Sequence, residues 1–186
     1  MKRSWILVFC AAFFLNCGAA LAADTPPAEQ PQIVVCAGAI ALATETGLNV
    51  WNGAEYDRMD TFQILAQQKG EWPRIPLGTN ITMKIEGAQP DAYRLIDYVI
   101  TEDGEYKYHS DVEPEPIALS YDGEAYHFDL PENWTVGFSS NSEDYEPGRT
   151  IRGFRFECSW GENACEYAFI LRTDAFPISA PDDIIE

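Results

Sequence analysis

Residues 150–173, TIRGFRFECSWGENACEYAFILRT, constrain the fold more than any other stretch, because strands, turn and register can all be read from them. Phe154, Phe156 and Cys158 share one parity of the first arm, and Cys165, Tyr167, Phe169 and Leu171 share one parity of the second. Alternation of period two marks half-buried strands. With Cys158 opposite Cys165, Phe156 falls opposite Tyr167, Phe154 opposite Phe169 and Trp160 opposite Asn163, leaving Gly161-Glu162 as the loop. Glycine at the first position of a two-residue loop suits a type II′ turn. The same register brings two thiols near the Cα separation that a disulfide accepts, so a Cys158–Cys165 disulfide is expected, adding about 2–3 kcal/mol. The opposite parity carries Arg155, Glu157, Ser159, Glu166, Ala168, Ile170 and Arg172, a mixed face that solvent or another element can cover. It sets Glu157 against Glu166, a like-charge pair that needs Arg155 or solvent to relieve it.

At the other end of the chain, Lys2 and Arg3, an apolar run over residues 5–15 and Ala20-Leu21-Ala22 read as a secretory signal peptide spanning residues 1–22. The expected location is the periplasm or the cell exterior. The apolar run is too short for a membrane span. Leu15-Asn16-Cys17-Gly18 has the outline of a lipoprotein site, but asparagine stands where a small residue is wanted, so no lipid anchor at Cys17 is expected. Processing leaves about 164 residues, a length suited to one domain. The expected division is a flexible Pro-rich leader over 23–32, a β domain over 33–174 and a loose acidic tail over 175–186.

The formal charge is −18, and loss of Lys2 and Arg3 takes it to −20. Such a charge repels nucleic acid and anionic lipid surfaces and favours a cationic partner or a metal ion, although solubility alone also accounts for it. Cys36 is the odd cysteine of the processed chain, either buried and inert or paired with a second chain.

Between these ends, residues 33–36 and 40–44 read as a first strand broken at Gly38, and Asn52-Gly53 marks a turn within 48–56. One helix is expected over 60–69, capped by Asp60, with Phe62, Leu65, Ala66 and Lys69 on one stripe and Gly70 at its stop. Ile81, Met83 and Ile85 alternate with polar residues as a strand with one wet face, while residues 93–100 are apolar on both parities and read as a central strand. Asp103-Gly104 and Asp122-Gly123 supply further turns around short strands at 106–109, 117–121 and 125–130, and 139–148 is the longest polar loop. About nine short strands and one short helix predict an all-β, two-layer, immunoglobulin-like β-sandwich.

No catalytic motif stands out. His109 and His127 lie on expected strands beside tyrosines, where histidine is ordinarily structural, and there is no G-x-S-x-G elbow. Thirteen acidic residues stand against one basic residue, Lys107, between positions 102 and 146, and loop carboxylates are the ligands that calcium takes. The spacing of a calcium-binding loop is missing, however, so no cofactor is expected and Ca2+ is the alternative. Trp51, Trp72, Trp134 and Trp160, with nine tyrosines, offer either core packing or rings on which sugars stack. The sequons at Asn80 and Asn133 matter only in a host that glycosylates secreted proteins. Arg149, Arg152, Arg155 and Arg172 cluster on the hairpin. Arg152 has the inward parity, and it is expected either to anchor a loop carboxylate, Glu143, Asp144 or Glu146, or to recognise an anion.

The segments WNGAEYDR over 51–58 and SSNSEDYEPGRTIRGFRFECSWGENACEYAFILRTD over 139–174 resemble stretches of uncharacterised extracytoplasmic bacterial modules, which occur in lipoproteins or beside sensor-type membrane metallopeptidases. The resemblance implies an immunoglobulin-like sandwich outside the cytoplasm and carries no catalytic residues with it. The expected function is a non-enzymatic binding or interaction module with a protein or glycan partner. An acidic inhibitor of a basic hydrolase such as a lysozyme is the alternative, and a carbohydrate-binding module a further one. The expected partner surface is the hairpin tip, Trp160, Gly161, Glu162 and Asn163, together with Glu143, Asp144, Glu146 and Arg152.

Overall fold

The computed structural model describes residues 27, 29–68, 70–108, 114 and 116–177. The expected signal peptide, Cys17, half of the leader, Lys69, His109 and residues 178–186 lie outside these. In chain order the elements are β1 (Gln32–Ala37), β2 (Ile40–Leu42), β3 (Thr44–Trp51), β4 (Ala54–Glu55), α1 (Thr61–Gln67), β5 (Asn80–Glu86), β6 (Ala92–Val99), β7 (Ser120–Tyr121), β8 (Tyr126–Asp129), β9 (Thr150–Trp160) and β10 (Asn163–Thr173). Two short 3-10 helices, Trp134–Phe138 and Ser142–Tyr145, lie between β8 and β9.

The strands form two antiparallel sheets of five, ordered β2-β1-β5-β8-β7 and β4-β3-β10-β9-β6. The protein is thus an all-β two-layer sandwich with a single α-helix among the described residues. Ten strands stand among the described residues against about nine expected: turns divide two of the early segments, while the strand expected at 106–109 is reduced, in its described part, to an isolated bridge between Tyr106 and Ile100. Gly38, at φ +56, folds β1 back onto β2, so the supposed broken strand is a hairpin. Asn52 and Gly53, at φ +50 and +77, close the β3–β4 hairpin with the pair of left-handed residues that a type I′ turn requires.

The β9–β10 hairpin has the register read from its parity: Cys158 faces Cys165, Phe156 faces Tyr167, Phe154 faces Phe169 and Trp160 faces Asn163. Gly161 at φ +57, followed by a residue outside the left-handed region, is the type II′ arrangement. Phe154 and Phe169 stack with centroids 4.9 Å apart and planes 7° apart. Their strands meet Val35, Ile81, Met83, Ile85 and Phe128 of the other sheet to make the main core.

The expected disulfide is corrected. Cys158 and Cys165 are both buried free thiols. Counting back from the two-residue loop, Trp160–Asn163 is a hydrogen-bonded pair, and Cys158–Cys165 is therefore the next hydrogen-bonded pair, in which side chains stand further apart than in the intervening class. Removal from water pushes both thiols up, Cys165 to about 11.

The like-charge conflict on the outer face is also settled. Arg94 of β6 takes Glu157, while Arg58 and Arg155 hold Glu166 Oε1 at 3.0 and 3.1 Å. The centre of that outer face is covered by α1. Asp60 caps the helix by accepting from the Phe62 N–H at 2.9 Å, and Phe62 and Leu65 pack on Ile100, Ile151, Ala168 and Ile170. Gly153 makes this docking possible, since a Cβ there would lie 2.8 Å from the Phe62 ring. Strand β6, expected to be central, is the edge of its sheet, pairing with β9 and bridging Ile117 at Leu95. It is apolar on both parities because the second sheet is sandwiched, with the first sheet on one side and the helix layer on the other.

Candidate functional site

The connection from β8 to β9 crosses one end of the sandwich, and a buried polar cluster holds it there. Strand pairing places Arg152 of β9 opposite Val99 and puts Asp97 of β6 two residues along on the same inward face. Arg152 Nε donates to Asp97 Oδ1 at 3.0 Å, Nη2 donates to Asp97 Oδ2, and Nη1 donates to the Pro131 carbonyl at 2.5 Å. Asn133 Nδ2 completes the cluster by donating to Asp97 Oδ2 at 2.8 Å. Arg152 is 1% exposed. The expectation that it anchors Glu143, Asp144 or Glu146 is therefore corrected: a carboxylate on the neighbouring strand meets the fork directly, and a loop residue would have to enter the core to compete.

Each loop carboxylate has its own environment. Asp144 pairs with Lys107 and accepts from the Ser139 hydroxyl; burial pushes its carboxyl up, but these two contacts outweigh burial and leave it below its ordinary range. Glu146 lies 3.6 Å from Arg149, and Glu143 is exposed. The cavity that Lys107, Glu143, Asp144 and Arg149 border, about 250 Å³, also meets Glu102 and Arg172, which pair at 2.9 Å, so acidic and basic side chains balance in its lining.

The hairpin tip is tied down rather than presented. Trp160 is 3% exposed, packs edge-on to Trp51 at 5.8 Å and donates through Nε1 to the Ala88 carbonyl at 2.9 Å. Asn163 is buried and accepts from the Asn52 N–H at 2.9 Å. The Gly161 N–H donates to Asp91 at 2.7 Å, and only Gly161 and Glu162 of the four tip residues are exposed.

The most exposed aromatic rings lie instead at the opposite end, on the segment that Arg152 and Asn133 secure. Asn133 Oδ1 accepts from the Thr135 N–H at 3.0 Å and starts the 3-10 helix that carries Trp134 and Phe138. These two rings are 66% and 68% exposed and meet edge to face at 5.3 Å. Tyr145 donates to the carbonyls of Val136 and Ser139 at 3.2 and 2.8 Å, and its ring stacks on Phe176 at 5.9 Å. A cavity of about 230 Å³ opens beside Trp134, bordered by Tyr98, Tyr106, Tyr108, Glu132 and Pro116. Strand alternation does not separate Trp134 from Trp160. The available signal was local: Pro131 and a capping Asn133 immediately before it mark a turn on the surface. The Asn133 sequon is engaged internally, because its side-chain amide donates to Asp97.

On the outer face of the first sheet, Asp122, His127 and Thr82 form a row, with Asp122 Oδ2 3.0 Å from His127 Nε2 and His127 Nδ1 3.3 Å from the Thr82 hydroxyl. The Ala125 and Glu124 N–H groups, and then His127, hold the Asp122 carboxyl down at about 2. Thr82 and His127 are cross-strand neighbours, and β5 is paired on both sides, so the surrounding strand amides are committed to the sheet. The row orders a histidine ring but offers no donors for a developing oxyanion. Among the described residues no three His, Cys, Asp or Glu side chains converge as a metal-binding group, and none of the helices is long and apolar enough to cross a membrane. No protein-family model matches the chain, and no curated protein or solved structure matches it significantly.

Proposed function

We propose that this protein is a periplasmic or secreted, immunoglobulin-like binding module without catalytic activity, which engages a protein or glycan partner through its Trp134–Phe138 end. The observation that carries the reading is the exposure of Trp134 and Phe138, at 66% and 68%, on a segment fastened from beneath by Arg152, Asp97 and Asn133. Large apolar rings on a rigid support contribute contact area at little cost in conformational entropy, which is the usual character of an interface anchor. The secretory pattern at the N-terminus supports the location.

The test is capture of partners from the envelope of the producing cell, and binding to a glycan array, by wild type and by a Trp134→Ala, Phe138→Ala double variant. Both residues are exposed, so the variant is expected to fold and to lose the captured partner or glycan. Capture unchanged by the double variant would defeat the reading. The net charge of −18 favours one further reading, an inhibitor of a basic hydrolase such as a lysozyme, drawn in by charge. That reading requires salt-sensitive inhibition of at least one enzyme in a panel of basic hydrolases.

A further inference from the structure

We infer that the cavity beside Trp134 receives a primary alkylammonium group, the chemistry of a lysine side chain on a partner protein. The inference rests on the reading that this end of the sandwich is the binding end, and it names the group recognised there.

The cavity measures about 230 Å³, and four aromatic residues, Tyr98, Tyr106, Tyr108 and Trp134, border it. Arg155 already lies over the Tyr98 and Tyr106 rings at 5.7 and 5.8 Å, so Trp134 and Tyr108 are the rings that attract a further cation and pack on its alkyl stem. Two carboxylates border the cavity, Asp97 and Glu132. Arg152 neutralises Asp97 with a two-pronged pair, whereas Glu132 is exposed and makes no ion pair among the described residues. The uncompensated charge of the lining is therefore negative, in a chain of formal charge −18, and an anionic ligand is disfavoured at short and long range. The Tyr108 hydroxyl selects among cations. It is buried and has no hydrogen-bond partner among the described residues, and an ammonium N–H can donate to its oxygen, while a quaternary ammonium cannot.

The experiment follows backbone and indole N–H resonances of the folded protein by NMR during titration with three small probes: Nα-acetyl-lysine N-methylamide, its neutral isostere Nα-acetyl-norleucine N-methylamide, and choline. The lysine probe is expected to shift the Trp134 indole resonance and to bind about tenfold more tightly than the norleucine probe. Glu132→Gln and Tyr108→Phe are each expected to weaken the lysine probe several-fold and to leave the norleucine probe unchanged. Equal affinity for lysine and norleucine probes would overturn the inference, since the cavity would then be a plain apolar site, and the proposed binding end would survive. Tighter binding of choline than of lysine would overturn it in favour of a quaternary ammonium site. No shift with any probe would also overturn it, and the Trp134→Ala, Phe138→Ala capture experiment then decides separately whether the binding end itself stands.

Discussion

Arg152 reaches across from β9 to Asp97 on β6, with both prongs of its guanidinium on one carboxylate and its third nitrogen on the Pro131 carbonyl. The pair joins a central strand, an edge strand and the loop that displays Trp134. It does so inside the sandwich, where neither charge has water to fall back on.

Removing one partner should therefore cost far more than removing both. Asp97→Ala leaves a buried guanidinium uncompensated, and a loss of about 3–5 kcal/mol is expected in urea unfolding. Pairing Arg152→Met with Asp97→Leu should recover most of that loss. A single-variant cost below about 1 kcal/mol would show that water reaches the arginine.

Gly153 and Phe62 form a second coupled pair, because the phenyl ring occupies the space of the missing Cβ. Gly153→Ala should destabilise by about 1–3 kcal/mol through overpacking. In a Phe62→Ala background, itself costing about 3–5 kcal/mol, the same alanine should be nearly neutral. Additive losses would mean that the helix does not dock there.

Thiol reactivity should follow burial and the raised thiols. Cys36 sits half-buried on the outward face of β1, while Cys158 and Cys165 are buried and harder to ionise than an ordinary cysteine. Iodoacetamide near pH 8 should modify Cys36 in the folded protein and reach Cys158 and Cys165 only on unfolding, as peptide mass mapping would show. Prompt native labelling of Cys158 or Cys165 would contradict this packing.

Acid should weaken the β7–β8 turn through Asp122. Its folded value of about 2 is below the ordinary 3.8, held there by the Ala125 and Glu124 N–H groups and by His127. A depressed carboxylate contributes stability that is full above the ordinary value and is lost as pH falls through the folded one. The urea midpoint should thus decline between about pH 4 and pH 2, and Asp122→Asn should flatten that part of the profile and lower stability at neutral pH. An unchanged acid limb in Asp122→Asn would remove Asp122 from the account.

Much of the fold was legible in the sequence because the responsible signals act over a few residues. Alternation in residues 150–173 predicted the β9–β10 register pair by pair, Asn52-Gly53 predicted its turn, and Asp60 predicted the start of the helix. The site was legible only in part. Arg152 was recognised as an inward charge, but its partner lies 55 positions away on β6, and parity cannot say which strand lies alongside. The disulfide failed for a related reason: parity puts two cysteines opposite each other without saying whether that pair belongs to the closer or the wider class.

The sequence by itself determined the two-layer β architecture, the central hairpin, the helix cap and the acidic character of the chain. Only the tertiary structure decided that β6 is an edge, that α1 covers the outer face over Gly153, that Trp160 is core and that Trp134 is surface. The division has one physical cause. Alternation and turn geometry are properties of neighbouring residues, whereas exposure and charge pairing depend on which distant element crosses a given side chain, and that is settled only when the two sheets close.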